Sequence, residues 1–279
     1  GLGNVDLRTS IVKSSNTYYY ALANDLGVDA IHDFMAPFGF GQLTGIDLFG
    51  AQTGILPSQD WKRNAYKRAD QQRWYAGETI SLGIGQGYNA FTMLQLATAT
   101  ATLANRGIQY PPHLMRAIRE SRSSETRTVA QTTPRDLGLN KKNLETVIEA
   151  MVGVTQDGTS RLSFVGAPYL SAGKTGTAQA VTIGQNEKYD AKKLAEFERD
   201  HSLYIAFAPA AAPEVALAII VENAGFGSAH AAPIARRVFD YMLLGLYPSE
   251  EDIAAVQKGL ATAPIGKPRL KVDVPLIRT

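Results

Sequence analysis

The order of hydrophobic patterns along this chain predicts an α+β domain, with an antiparallel sheet packed by helices. Three observations predict it. Tyr18, Leu22, Leu26, Ile31, Phe34, Met35 and Phe38 recur at helical spacing early in the chain. Two apolar runs, Ser202 to Pro209 and Glu214 to Glu222, follow much later and lie about five residues apart, the mark of a hairpin. Strands and helices do not alternate, so a parallel α/β sheet is excluded.

The elements read as follows. Thr17 to Pro37 is helical, broken near Gly27. Gly39 to Gly54 is loop, and the polar stretch Gly50 to Trp74 wraps the surface. Gly83-Ile84-Gly85-Gln86-Gly87 is a turn into a helix from Thr92 to Asn105, stopped by Gly107. Pro111 and Pro112 close that block, and Glu120 to Gln131 is a surface hairpin or mobile loop. Asn143 to Val154 is an amphipathic helix with Leu144, Val147, Ile148 and Met151 on one face. Leu170 to Val181 is a strand, and Gln185 to Asp200 is a charged, partly helical insertion before the next strand. Ala232 to Leu246 is a closing helix. Beyond Pro248 the chain holds Pro264, Pro268 and Pro275 and is expected to be loosely held. The domain reading is thus one domain over 1–248 and a tail over 249–279.

The 279 residues are 45% hydrophobic and 19% charged, the balance of an ordinary globular protein. A net charge of +2 with no basic run argues against nucleic acid. With no cysteine, disulfides, thiolate metal sites and cysteine nucleophiles are excluded. No stretch is apolar and long enough to span a bilayer; the best run, Val215 to Val221, is strand-sized. The chain opens at Gly1-Leu2-Gly3 without a Met and reads as a fragment.

The strongest chemical signal is Ala172-Gly173-Lys174-Thr175-Gly176-Thr177-Ala178. Such a tripeptide as Lys174-Thr175-Gly176 also suits a plain strand with an exposed Lys. As a site it is more specific. Small residues on both sides let a ligand lie against the strand as an added strand. Lys174 supplies positive charge, the Thr175 and Thr177 hydroxyls can bind a carboxylate, and the Thr177 N–H can face a developing oxyanion. The second signal is Ser14-Ser15-Asn16, about 160 residues earlier; alone it serves equally as a helix N-cap.

With these two motifs in this order, the chain resembles the penicillin-binding proteins and serine β-lactamases, which pair Ser-x-x-Lys with a Ser-x-Asn element and Lys-Thr-Gly. The resemblance covers nearly the whole chain. It includes Phe38-Gly39-Phe40-Gly41 with Thr44-Gly45-Ile46-Asp47-Leu48, and Gly83-Ile84-Gly85-Gln86-Gly87-Tyr88 with Gln95. Asp200-His201, Ala206-Phe207-Ala208-Pro209, Val221-Glu222-Asn223 and Ala231-Ala232-Pro233-Ile234-Ala235 look like the elongation-specific class B type, penicillin-binding protein 2.

That family attacks with the Ser of Ser-x-x-Lys. Ser10-Ile11-Val12-Lys13 fits the pattern, but Lys13 directly precedes Ser14. A nucleophile so close in sequence could hardly face Ser14 across a substrate, so Ser10 is rejected. The nucleophile and its lysine are expected upstream of Gly1, and the chain alone is expected to be inactive.

The resemblance implies a peptidoglycan D,D-transpeptidase or D-Ala-D-Ala carboxypeptidase working through a serine ester, with no cofactor and no metal. It implies that Ser14 relays a proton to the leaving amine and that Asn16 holds the substrate amide and the upstream lysine. Lys174, Thr175 and Gly176 would hold the terminal carboxylate of a stem peptide or a β-lactam. The Thr177 amide would form half of an oxyanion hole. Implied surroundings are the periplasmic face of a bacterial inner membrane, a rod-shape glycosyltransferase and its scaffold proteins. The alternatives are a β-lactam sensor module or pseudoenzyme, and a serine β-lactamase. The elongation-type features argue against both, and no deacylating base can be named for the last.

Other groups carry less. His32, His113, His201 and His230 lack metal-ligand spacing. The glycine-rich turn at 83–87 has no Walker Lys. Asp47 and Glu78 are read as surface or capping groups rather than a glycosidase pair.

Overall fold

The structure is a computed structural model and describes residues 2–121, 125–130, 132–180, 194–260 and 262–274. The helical first half comprises α1 (Leu7–Val12), α2 (Asn16–Leu26), α3 (Val28–Met35), α4 (Gln59–Ala65), α5 (Ala69–Gln72), α6 (Ala76–Leu82) and α7 (Met93–Ala104). Short strands β1 (Ile108–Gln109), β2 (Ala117–Arg119), β3 (Thr126–Thr128) and β4 (Arg135–Asp136) come next, then α8 (Lys141–Gln156) and α9 (Arg161–Phe164). Strands β5 (Ala172–Ala178), β6 (His201–Ala208) and β7 (Val215–Val221) precede α10 (Ala231–Leu244). The chain closes with β8 (Leu246–Tyr247), α11 (Glu250–Gln257) and β9 (Arg269–Leu270). This is the α+β order read from the sequence.

The chain divides into two compact units, residues 1–18 with 145–279, and residues 19–144. The first holds an antiparallel sheet of order β5-β6-β7. Its register sets Lys174 opposite Ile205, Thr175 opposite Tyr204 and Thr177 opposite Ser202. Directly opposed residues share a face. Thr175 therefore lies on the face whose Tyr204 packs in the core with Phe164 of α9 and Ala231, Ala232, Ala235 and Phe239 of α10. Those alanines, with Ala206 and Ala208 of β6, are small enough for a helix to lie close on the sheet. Within the stretch beyond Pro248, α11 is tied to α10. Arg237 of α10 makes a two-pronged bond to fully buried Asp252 of α11, at 2.8 and 2.5 Å. A charge at that depth is stable only when paired and hydrogen-bonded, so this pair fixes where α11 lies.

The second unit is built on Phe38, Phe40, Leu56 and Ala99, backed by Phe91, Leu96, Leu103, Leu137 and Leu139. Gln95 of α7 ties its loops together. Buried, it donates to the carbonyls of Gly39, Gln42 and Thr53 at 3.2, 2.9 and 2.7 Å and accepts from the Thr92 N–H at 2.9 Å. The polar run 50–74 does not simply wrap the surface. It forms α4 and α5 and buries Lys62 against Glu78. Within 120–131, expected as a hairpin or mobile loop, β3 pairs antiparallel with β2, which lies just ahead of that segment; residues 122–124 and 131 lie outside the described residues. Of the insertion expected at 185–200, residues 185–193 lie outside the described residues, and Glu196–Glu198 forms a 3₁₀ turn.

Candidate active site

Among the described residues strand β5 pairs with β6 alone, which puts the Lys-Thr-Gly motif at the edge of that sheet. Ser14 sits in the tight link between α1 and α2, where its backbone adopts φ +55°, a left-handed conformation costly for a residue with a Cβ. Such strain persists only where the surroundings hold it, and here the chain passes from one helix into the next within a few residues.

The two motifs meet. The Lys174 Nζ donates to the Ser14 Oγ at 2.7 Å, across 160 residues of sequence. It also donates to the Thr175 carbonyl at 2.8 Å. Burial pushes the Lys174 ammonium down to about 8, because a charge removed from water is disfavoured. Thr175 places its Oγ1 2.8 Å from that of Thr159, in the turn between α8 and α9. Asn16 is the first residue of α2 and is exposed. Gly176 and Thr177 continue β5 half-buried. A cation, hydroxyls and an open strand edge on one wall suit an extended ligand ending in a carboxylate.

Ser10 and Lys13 each bond a partner outside the Ser-x-x-Lys pair. Ser10 is completely buried and its hydroxyl donates to the Leu7 carbonyl at 2.7 Å. Lys13 instead reaches the Asp157 carbonyl at 2.7 Å. Asp47 and Glu78 are likewise occupied. Asp47 accepts from the N–H groups of Leu114 and Met115 at 2.6 and 2.8 Å, which hold its carboxyl below the usual range. Glu78 pairs with Lys62. His201 accepts at Nδ1 from the Asn223 N–H at 3.0 Å.

Sequence reasoning missed Thr159 and the turn around it. Asp157-Gly158-Thr159-Ser160 reads as ordinary turn punctuation. Only its position between the end of α8 and the strand bearing Lys174 hints at more.

The same chain can be set beside known proteins. The family model of the penicillin binding protein transpeptidase domain matches residues 1–240. The peptidoglycan D,D-transpeptidase MrdA of Acinetobacter baumannii is 42% identical over 247 residues, covering 88% of this chain and 35% of that protein. The crystal structure of Pseudomonas aeruginosa PBP2 in complex with WCK 5153 has 39% identity and a TM-score of 0.71, over 86% of this chain and 49% of that one. Helicobacter pylori PBP2, in its complex with MreC, has 29% identity and a TM-score of 0.70, over 87% of this chain and 41% of that one. The chain thus spans about a third of the length of the A. baumannii relative. Matched from its first residue into α10, and sharing its fold with the PBP2 structures, this chain belongs to the penicillin-binding protein transpeptidase domain family.

Proposed function

We propose that this chain is part of an elongation-type peptidoglycan D,D-transpeptidase, forming one wall of its acyl-transfer site. The observation that carries the reading is the 2.7 Å bond between Lys174 and Ser14, which joins the two family motifs. Lys174, Thr175 and Gly176 hold the substrate's terminal carboxylate. Ser14 relays a proton to the leaving amine, and Asn16 holds the substrate amide. The Thr177 amide is one donor of the oxyanion hole. The burial of Ser10 and its bond to the Leu7 carbonyl support seeking the nucleophilic serine and its lysine elsewhere in the whole protein. The D,D-transpeptidase name of the 42%-identical relative favours this over a β-lactam sensor or a β-lactamase. By the same likeness, the whole protein works on the periplasmic face of the inner membrane. Its partners there are a scaffold protein, as in the H. pylori PBP2 complex with MreC, and a rod-shape glycosyltransferase.

The whole protein should take a covalent label from a fluorescent penicillin, whereas residues 1–279 alone should not. Lys174→Ala should slow labelling of the whole protein. Labelling of the bare chain at Ser10 would sink the rejection of that residue, and undiminished labelling of Lys174→Ala would sink the carboxylate role.

A pH dependence follows from the depressed Lys174. Below about 8 it is charged and attracts a carboxylate; above that the neutral amine does not. The non-covalent affinity for a penicillin should therefore fall as pH rises through about 8, approaching roughly tenfold per pH unit. A flat profile between about pH 7 and 9.5 would remove Lys174 as the carboxylate's cation.

A further inference from the structure

The turn Asp157-Gly158-Thr159-Ser160 touches the Lys-Thr-Gly strand on one side and the residues just ahead of Ser14 on the other. On one side it meets the end of α1, just ahead of Ser14. The Lys13 Nζ donates to the Asp157 carbonyl at 2.7 Å. Gly158 is pressed so close that an added Cβ would lie 2.5 Å from the Val12 carbonyl oxygen and 2.6 Å from the Val154 Cα. Both are backbone atoms and cannot swing away. On the other side the turn meets the sheet. The Thr159 Oγ1 lies 2.8 Å from the Thr175 Oγ1, and the Ser160 Oγ lies 3.0 Å from the hydroxyl of fully buried Tyr204. Ser160 is itself tied to the Val154 carbonyl through its N–H at 3.1 Å and its hydroxyl at 3.2 Å. The exposed ion pair of Arg8 with Asp157, at 3.8 Å, adds little.

Resting on the reading above, we propose that Thr159 is a positioning residue that aims the Thr175 hydroxyl at the substrate's carboxylate. A hydroxyl has one proton to give. If Thr175 gave it to Thr159, none would remain for the ligand. With Thr159 as donor and Thr175 as acceptor, the Thr175 proton points outward to the carboxylate, and each bond in the chain polarises the next. Both side chains are β-branched, which restricts χ1, and the 2.8 Å bond between their hydroxyls favours the wells that keep them together. The turn itself is held by backbone contact at Gly158 and by the Ser160–Tyr204 bond, not by Thr159. Loss of the Thr159 hydroxyl therefore alters the aim of Thr175 without releasing the turn.

The test uses the whole protein and separates the dissociation constant of the first, non-covalent penicillin complex from the acylation rate. Thr159→Val keeps the shape and removes the hydroxyl; Thr159→Ser keeps the hydroxyl. Thr159→Val should weaken the first complex about three- to tenfold, as a lost hydrogen bond does, and leave the acylation rate within about twofold. Thr159→Ser should restore the affinity. A penicillin esterified at its carboxylate should bind Thr159→Val and the unaltered protein alike, an equality that a merely structural role would not give. The proposal is overturned if Thr159→Val slows acylation as much as it weakens binding, if Ser fails to rescue, or if the ester loses affinity equally. Should the unaltered protein take no label at all, the transpeptidase reading falls, and this inference with it. Should it label and respond to Lys174→Ala but not to Thr159→Val, this inference alone falls.

Discussion

Replacing Lys62 by Met should cost the unit of residues 19–144 about 3 kcal/mol of stability, near the lower end for breaking a buried ion pair. Lys62 is 3% exposed and pairs with Glu78, whose side chain is 21% exposed. The ammonium also donates to the Arg73 carbonyl at 2.7 Å. It sits over the rings of Trp74, Tyr75 and Tyr88 at 5.6, 5.2 and 5.5 Å. Glu78 in turn accepts from the Tyr88 hydroxyl and the Tyr75 N–H, both at 2.9 Å. One charge thus organises four side chains and two backbone groups. Met matches the volume of Lys but leaves the carboxylate without its cation; the opening of Glu78 to water is why the lower end is expected. Burial raises the Glu78 carboxyl, but the Lys62, Tyr75 and Tyr88 contacts outweigh it and hold the group below its ordinary value. The stability this gives is fully present above the ordinary glutamate pKa and is lost as pH falls through the lowered value. In Lys62→Met that acid-side loss should shrink. Trp61 and Trp74 are the chain's two tryptophans and both border this cluster, so urea unfolding followed by their fluorescence reads it directly. A loss below about 1 kcal/mol would mean that the cluster is a solvated surface pair.

That cluster shows where the sequence stops being legible. The strands β6 and β7 and the helix α10 follow from apolar runs and helical spacing, since β6 and α10 bury a face and β7 packs Val215, Leu217, Ile219 and Val221 against the same core. Lys62 belongs to a polar stretch with no period, and a lysine there reads as solvated. Its burial comes from partners as far along the chain as Glu78 and Tyr88, whose convergence no local pattern encodes. The active-site wall divides the same way. Lys174 and Ser14 were legible as motifs, through a resemblance, and the structure supplies what the motifs lack, the bond across 160 residues. Thr159 was illegible because a Thr between Gly and Ser in a turn satisfies turn chemistry and needs no second role. The turn's hold on the end of α1 likewise depends on Lys13 meeting Asp157 across 144 residues, a contact set by tertiary packing.

The larger loss of function is expected from Gly173→Ala, one residue ahead of Lys174. A Cβ there would lie 2.1 Å from the Tyr204 hydroxyl oxygen, 2.6 Å from its Cζ and 3.3 Å from the Ala206 Cβ. Tyr204 cannot yield. It is 1% exposed, packs near Phe164 with ring centroids 6.2 Å apart and bonds Ser160. The added methyl must therefore push β5 away from β6, at an overpacking cost of about 1–3 kcal/mol. Lys174 and Thr175 move with the strand, and a shift of about 1 Å at such a site is worth roughly a hundredfold in rate. Penicillin acylation of the whole protein should fall by about that factor while the protein remains folded by circular dichroism. Tyr204→Phe in the same chain removes the nearest clashing atom but keeps the ring carbon at 2.6 Å, so the double variant should recover part of the rate and not all of it. Gly173→Ala with unchanged acylation would show that the strand tolerates displacement. The spacing of Lys174 from Ser14 would then not be what the site depends on.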